Sequence, residues 1–277
     1  MSKGYLLIAH NNQYNDYVTQ AIYCAQRIKM FCNDASVSII TSNSHYLKKL
    51  SGFEVFEHII DTTVKVDDNY KLSFDGALSN KTVKWINAGR DLAYDLSPYD
   101  ETILLDTDYI VSNSNLNSCF GSVNDFMLFR NSKYIGSVEV TDEFTRCSDS
   151  SIDFYWATVI YFKKSTKSKT LFDTVQHIRN NWVYYNSLYQ INSGNFRNDY
   201  AFSIALHMLN DTTTGNVATL PGKMYYIKDQ DFLEKINNDK MIFLVGKKDH
   251  LGEYTLLSTE GLNVHVLNKS SLERIIE

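Results

Sequence analysis

Residues 102–108 read Thr-Ile-Leu-Leu-Asp-Thr-Asp, and this stretch is the most informative about the fold of the chain. Its first four residues are apolar or β-branched, a composition typical of a buried strand. Asp106 and Asp108 follow where that strand should end, and ligands of open α/β sheets bind outside the carboxyl ends of strands. Two adjacent carboxylates repel each other unless a cation lies between them. The stretch therefore indicates a divalent-metal site that holds a diphosphate, with a polar turn as the alternative.

The segments before this stretch alternate between strand and helix patterns. The predicted elements are strands at Gly4–Ala9, Val37–Thr41 and Val55–Ile60, and helices from Tyr14 to about Phe31 and at Ser44–Leu50. We expect Asn15 or Asp16 to cap the first helix. Asp67–Leu78 is predicted to be irregular, and Thr82 to about Ala93 to be a helix. The strand before the Asp pair is then about the fourth, and the β-α-β-α-β order indicates a parallel sheet.

The second half of the chain continues this α/β pattern. The predicted elements are a strand at Phe154–Phe162, a helix from Leu171 to about Tyr185, a helix opened by Phe196–Asp199, and strands at Met241–Val245 and Val264–Leu267. The whole pattern predicts an α/β protein.

Composition narrows the class of protein. The chain has 277 residues, enough for a sizeable core, with 44% hydrophobic and 21% charged residues. Its net charge of -5 does not indicate a nucleic-acid binder. None of the four cysteines forms a C-x-x-C pair, and we expect reduced thiols. No signal peptide or stretch long enough to span a bilayer is evident, so we expect a cytoplasmic protein (host cytoplasm if phage-encoded) without stable membrane insertion.

Five short motifs, in this order, resemble those of metal-dependent glycosyltransferases with the GT-A fold. They are Tyr5–Asn11, Asp106–Asp108 (the D-x-D motif of that family), Trp156–Phe162, Arg197–Phe202 and His265–Lys269. The resemblance implies one domain over residues 1–277 with a Rossmann-like, mixed and mainly parallel sheet flanked by helices. Residues from 1 to about 112 would bind the nucleotide sugar. Residues from about 113 to 277 would bind the acceptor and supply a C-terminal metal and diphosphate segment.

The resemblance also implies a nucleotide-diphosphate sugar donor and a divalent cofactor, Mn²⁺ or Mg²⁺. Metal ligands would be Asp106, Asp108 and His265. Donor contacts would come from Ala9, His10, Asn11, Asp106 and Lys269, and Lys84 and Arg90 lie on the predicted helix before the Asp pair, within reach of a phosphate. Acceptor contacts would come from Trp156, Thr158, Arg197 and Asn198.

An inverting transfer needs a base for the acceptor hydroxyl, and Asp199 is the first candidate. Lesser candidates are Asp142, Asp149 and Asp153. Each of these residues also has an ordinary structural interpretation. Asp199 suits a helix cap, and the others suit a polar loop.

Several functions remain open from the sequence. A phosphatase of the haloacid dehalogenase type places its Asp pair after the first strand, whereas the pair here follows about the fourth. A nucleotidyltransferase needs a Gly-rich loop after the first strand, and residues 10–13 contain no Gly. A non-catalytic nucleotide-sugar binder needs neither feature. The acceptor is also open. The chain is rich in Asn, Lys, Tyr and Ser, a composition typical of phage or AT-rich bacterial proteins, and its basic run at 163–169 suits contacts with phosphates. These features favour a hydroxymethylated pyrimidine in phage DNA as the acceptor. A cell-surface glycan or lipopolysaccharide fits equally.

Overall fold

The structure is a computed structural model of the chain. It describes residues 1–63, 69–84, 86, 88–136, 145–148, 151–191, 193–210, 217–247 and 250–276. Within these ranges the strands are β1 (Lys3–Ala9), β2 (Ser36–Thr41), β3 (His58–Asp61), β4 (Tyr70–Phe74), β5 (Asn80–Lys84), β6 (Glu101–Leu105), β7 (Tyr109–Ile110), β8 (Phe126–Phe129), β9 (Ser132–Tyr134), β10 (Trp156–Lys163), β11 (Met224–Ile227), β12 (Phe232–Asn237), β13 (Lys240–Lys247), β14 (His250–Glu260) and β15 (Val264–Val266).

The helices of the described ranges are α1 (Tyr17–Phe31), α2 (Ser44–Leu47), α3 (Ala93–Leu96), α4 (Thr166–Asn180), α5 (Trp182–Leu188), α6 (Asn198–Leu209) and α7 (Lys269–Ile276). Short 3₁₀ turns lie at Phe53–Val55, Arg90–Leu92 and Asn115–Cys119. None of the described helices is long and apolar enough to cross a bilayer. All four cysteines are buried and free.

A six-stranded sheet in the order β3-β2-β1-β6-β10-β8 forms the centre of the molecule. The neighbours β3, β2, β1 and β6 run parallel, whereas β10 runs antiparallel to both β6 and β8. All five residues of β6 are buried, as the apolar and β-branched run at 102–105 predicts for four of them. The mixed, mainly parallel α/β sheet with flanking helices confirms the predicted fold class.

The chain leaves β1 in one direction to form β2 and β3, and returns on the other side of β1 as β6. A parallel sheet has its ligand crevice at such a switch point, outside the carboxyl ends of the two strands. The predicted elements of this half agree with the structure to within a few residues, and the Asp16 carboxylate caps α1 by accepting from the Thr19 amide.

The segment between β3 and β6 differs from the prediction. Residues predicted to be irregular or helical form the antiparallel hairpin of β4 and β5, followed by a 3₁₀ turn at Arg90 and the short α3. The predicted helix from Thr82 is therefore wrong. Strand pairing overrides the helical spacing of the apolar residues in this segment. Gly89 has a φ of 90°, which no helix or strand continues through.

Two further differences concern the second half of the chain. The helix predicted from Leu171 is two helices, α4 and α5, which meet at Asn181.

The C-terminal region adds an antiparallel sheet of β12, β13 and β14, and a small sheet in the order β7-β15-β11-β9. In this small sheet His265 of β15 pairs with Tyr109 of β7, directly after the Asp pair. The pairing brings the end of the chain to the switch point.

Candidate active site

A cleft of about 440 Å³ opens at the carboxyl edge of β1 and β6. It is lined by residues from several elements, among them His10 after β1, the Asp pair after β6, Lys71 of β4, Asp199 of α6 and Lys269 of α7. Its volume lies in the range of roughly 300–1,000 Å³ typical of small-molecule sites. The cleft occupies the switch point of the sheet, where the first motif of the sequence predicts a site.

Asp106, Asp108 and His265 form a candidate metal group in this cleft. One ligand atom of each lies within 4.8 Å of the other two. The His265 Nε2 atom is 3.3 Å from Asp108 Oδ1 and 4.0 Å from Asp106 Oδ2. Two carboxylates and one imidazole suit a divalent ion such as Mn²⁺. The residues therefore fit the predicted cofactor, and the identity of the ion remains a prediction.

Backbone bonds hold the three ligands together. The Asp106 amide donates to the Thr158 carbonyl at 2.9 Å, and the Val266 amide donates to the Asp108 carbonyl at 2.9 Å. The His265 Nδ1 atom is 3.4 Å from Thr158 Oγ1. With a metal held by the carboxylates, the ring proton of His265 would lie on Nδ1 and be donated to Thr158, and the Nε2 lone pair would be free to bind the ion. Such an outer partner sets the tautomer and orientation of a metal-binding histidine.

Each carboxylate of the pair also has a cation of its own. Arg90, largely buried, contacts Asp106, and Lys269 contacts Asp108. Burial alone would raise the pKa of Asp108, but Lys269 and His265 outweigh it and hold the pKa below its ordinary value. Burial raises the pKa of Asp106, against the opposing effect of Arg90. The site thus contains the positive groups that a diphosphate needs beside its metal.

Lys269 owes its position to the start of α7. Asn268 caps this helix by accepting from the Ser271 amide at 2.9 Å, and Lys269 is the first helical residue. A lysine is unfavourable at this end, where the helix dipole is positive. Although burial opposes its charge, Asp108 raises the pKa of Lys269 above the ordinary value. A lysine in a cleft whose pKa is shifted by burial and by a specific charge partner is typical of a functional site.

The other end of the cleft is formed by β10 and α6. The Asp199 carboxylate accepts from the Ala157 amide at 2.8 Å and from Arg197 Nη2 at 2.8 Å. Trp156 is buried, packs edge-on against Phe154, and lines the cleft beside Thr158, Arg197 and Asn198. The structure therefore brings together the four residues predicted for the acceptor and the predicted base. Their roles remain predictions.

His10 lines the cleft at the end of β1. Its Nδ1 atom accepts from the Ser42 amide at 3.1 Å, so the ring proton resides on Nε2. The buried Nε2 atom has no hydrogen-bond partner among the described residues. Burial lowers the pKa of His10 to about 4. A Cβ on Gly89 would lie 3.3 Å from this Nε2, so glycine suits both the close approach and the positive φ there.

Three residues predicted to bind the donor are not among those that line the cleft. Ala9 is buried within β1. The Asn11 side chain bonds Asp16 and the Val18 amide at the start of α1. Lys84 lies on β5 instead of a helix, with its Nζ atom 5.9 Å from the centre of the Tyr70 ring. His10 and Asn11 both follow β1, but only His10 lines the cleft. Position in this loop therefore does not determine which side chain faces the cleft.

The lesser candidates for the base have separate outcomes. Asp142 and Asp149 lie outside the described residues. Asp153 forms an ion pair with Arg130 at 3.0 Å and is not among the residues lining the cleft.

The cleft also contains residues that the sequence analysis missed. They are Tyr17 of α1, Lys71 and Ser73 of β4, Asn195 before α6, and Asp229 before β12. Tyr70–Phe74 alternates in polarity and is followed by Asp75-Gly76, which together are typical of a strand entering a hairpin turn. This signal was sufficient to predict β4. No local pattern indicates that the strand lies against the Asp pair.

Comparison with solved structures gives weak likenesses to glycosyltransferases. LgtC, a galactosyltransferase crystallised with donor and acceptor sugar analogues, is 14% identical over 73% of this chain and 70% of that one, with a TM-score of 0.46. GlyE of Streptococcus pneumoniae is 10% identical over 78% of this chain and 45% of that one, with a TM-score of 0.42. The bifunctional glycosyltransferase WbbM is 12% identical over 79% of this chain and 39% of that one, with a TM-score of 0.43.

No protein-family model matches the chain, and no curated protein matches it in sequence. Since the structural likenesses are weak, we base the function on the geometry of the site.

Proposed function

We propose that this protein is a metal-dependent glycosyltransferase, which moves a sugar from a nucleotide-diphosphate donor to an acceptor hydroxyl. The supporting observation is the joint placement of Asp106, Asp108, His265 and Lys269 at the switch point of the sheet. This arrangement combines ligands for a hard cation with a buried ammonium group. A diphosphate leaving group carries negative charge that requires both.

Transfer builds negative charge on the oxygen that joins the diphosphate to the sugar. A divalent ion at the carboxylates, when bound, supplies Lewis-acid stabilisation of that charge. Lys269 binds a phosphate oxygen, and Arg90 supports the same group from the β5 side of the cleft. Both cations are already held near the carboxylates, so little reorganisation is needed when the charge develops. Lys269 and Arg90 thus stabilise the leaving group and do not form a bond to the sugar.

Asp199 is our candidate for the group that accepts the proton of the acceptor hydroxyl. Its two oxygens each accept one hydrogen bond, which fixes the carboxylate at the edge of the cleft. Each oxygen retains a lone pair for a further contact. In this role Asp199 implies inversion at the anomeric carbon, because the base assists attack from the face opposite the leaving group.

The acceptor is proposed as a sugar hydroxyl or a hydroxymethylated pyrimidine of DNA. The basic run at 163–169 follows the far end of β10, where Lys163 pairs with Glu101 at the start of β6. It therefore lies at the sheet edge opposite the cleft. Lys163 also donates to the Ser122 carbonyl, and Lys169 pairs with Asp173. The run thus gives no support to a DNA acceptor in this cleft, and both acceptors belong in the same assay.

The competing phosphatase is less well supported by the topology. A phosphatase of the haloacid dehalogenase type carries its Asp pair after the first strand, whereas here the pair follows β6.

The proposal is tested by thermal unfolding with a panel of nucleoside diphosphates, each with and without Mn²⁺. We expect one diphosphate to raise the unfolding midpoint only with the metal, because a saturating ligand stabilises the folded state. The isosteric variant Asp106→Asn should lose this shift, and Asp173→Asn, on the exposed face of α4, should retain it. The absence of a shift with every diphosphate, both with and without Mn²⁺, would refute a donor site.

A further inference from the structure

The hairpin of β4 and β5 lies across the cleft and is attached on both sides. At the start of β4, the Asn195 side chain donates to the Tyr70 carbonyl at 2.6 Å. Beyond its end, Arg274 of α7 makes two bonds of 2.9 Å to Asp75, and the Gly76 amide donates to the Asp229 carbonyl at 3.3 Å. The strand therefore connects the start of α6 to α7.

Alternate residues of a strand point to opposite faces, and β4 follows this rule. Tyr70 and Leu72 are both more than half exposed, at 53% and 51%. Lys71 and Ser73 are less exposed and line the cleft. The hairpin thus presents Lys71 to the ligand space from its less exposed face, whereas Tyr70 and Leu72 are half exposed to solvent.

The charges around Lys71 indicate what this space accommodates. Burial, with an added effect of the nearby Lys269 ammonium, lowers the pKa of Lys71 to about 8, and Arg197 acts in the same direction. Asp108 and Asp229 act in the opposite direction. Lysines that repel each other inside a cleft are stabilised by an anion bound between them. A diphosphate carries the negative charge to pair with both lysines, which line the same cleft.

We propose that Lys71 is a second lysine for the diphosphate of the bound nucleotide, presented by the hairpin from a wall of the cleft different from that of Lys269. This inference rests on the proposed function, since it assumes that the donor carries a diphosphate. Lys71 then holds the nucleotide before transfer and retains the diphosphate afterwards. The hairpin couples this contact to α6 and α7 through Asn195 and Arg274.

Isothermal titration calorimetry with Mn²⁺ and pyrophosphate, and with Mn²⁺ and the nucleoside diphosphates, tests the inference. Lys71→Met keeps the apolar stem and removes the charge, so we expect both probes to bind at least ~10-fold more weakly. Lys71→Arg should remain within about 3-fold of wild type because it keeps the charge. The control is Lys81→Met on the same hairpin, where an exposed lysine lies over the Tyr14 ring.

The outcomes separate this inference from the proposed function. Wild-type protein that binds no diphosphate refutes the donor site and this inference together. Wild-type protein that binds, with equal affinity in Lys71→Met, refutes the role of Lys71 alone. Equal weakening by Lys71→Met and Lys81→Met would show a general charge effect and would also refute it. Thermal unfolding of each variant confirms that it is folded, and Lys71→Gln, which also removes the charge, replaces the methionine variant if that variant does not fold.

Discussion

The ammonium group of Lys269 contacts the carboxylate of Asp108 across 161 residues of sequence. Asp108 is buried and Lys269 largely so, with 4% and 13% of their side chains exposed. The pair therefore links the last helix of the chain to the central sheet inside the cleft. Because both charges are removed from water, neither is expected to be stable without the other.

We expect Lys269→Met to lower the free energy of unfolding by about 3 kcal/mol, because it leaves the buried Asp108 carboxylate without its main cation. Asp108→Asn should have a similar cost. The double variant should lose clearly less than the sum, since no unpaired charge remains. A double-mutant cycle by urea denaturation measures this coupling. Additive losses would show that the two charges do not stabilise each other.

Thr158→Val should weaken metal binding without removing a ligand. The substitution keeps the shape of the side chain but removes the hydroxyl beside His265 Nδ1. Loss of such an outer partner typically reduces metal affinity by about 10–100-fold. Mn²⁺ titration followed by electron paramagnetic resonance, with a nucleoside diphosphate present, measures the change. An affinity equal to wild type would indicate that Thr158 does not orient the histidine.

His10 should make stability depend on pH in mildly acidic solution. Its pKa is about 4 in the folded protein and 6.5 as the reference, so the unfolded chain binds the proton first. The stabilising contribution is complete above the reference pKa and is lost as pH falls towards the folded value. Between about pH 7.5 and about pH 4.5 this loss is roughly 2.5 kcal/mol.

Other carboxyl groups also titrate in this window, so the measurement needs a matched variant. His10→Asn keeps an acceptor for the Ser42 amide and removes the titrating ring. Urea denaturation of both proteins at each pH gives the difference between them. This difference should change by about 2.5 kcal/mol in favour of the variant as the solution is acidified. A constant difference would mean that His10 is not held neutral by burial.

Asp199→Asn should lower kcat by at least ~10²-fold if Asp199 is the base of an inverting transfer. The asparagine oxygen still accepts from the Ala157 amide, so KM for the donor should change little. Initial rates of nucleoside-diphosphate release with an active acceptor measure both constants, and Asp173→Asn provides a surface control. A fall of less than about tenfold would assign proton removal to another group or favour retention.

The local sequence was sufficient for the first half of the sheet. Gly4–Ala9 and the run before Asp106 are contiguous apolar segments, and their burial follows from composition alone. The position of the Asp pair at a strand end followed in the same way. The hairpin of β4 and β5 was missed for two reasons. Asp67–Leu78 was interpreted as irregular despite the turn signal at Asp75-Gly76, and the apolar residues from Thr82 have helical spacing.

The site as a whole was decided by tertiary structure. Nothing in the local pattern of His265 distinguishes a ligand from a core histidine, and only its pairing in β15 with β7 places it beside Asp108. Lys71 is likewise an ordinary strand residue until its hairpin crosses the cleft. Sequence periodicity reports which face of an element is buried, because burial depends on local spacing. The side chains that meet across elements are determined by strand order and docking, which depend on contacts distant in the chain.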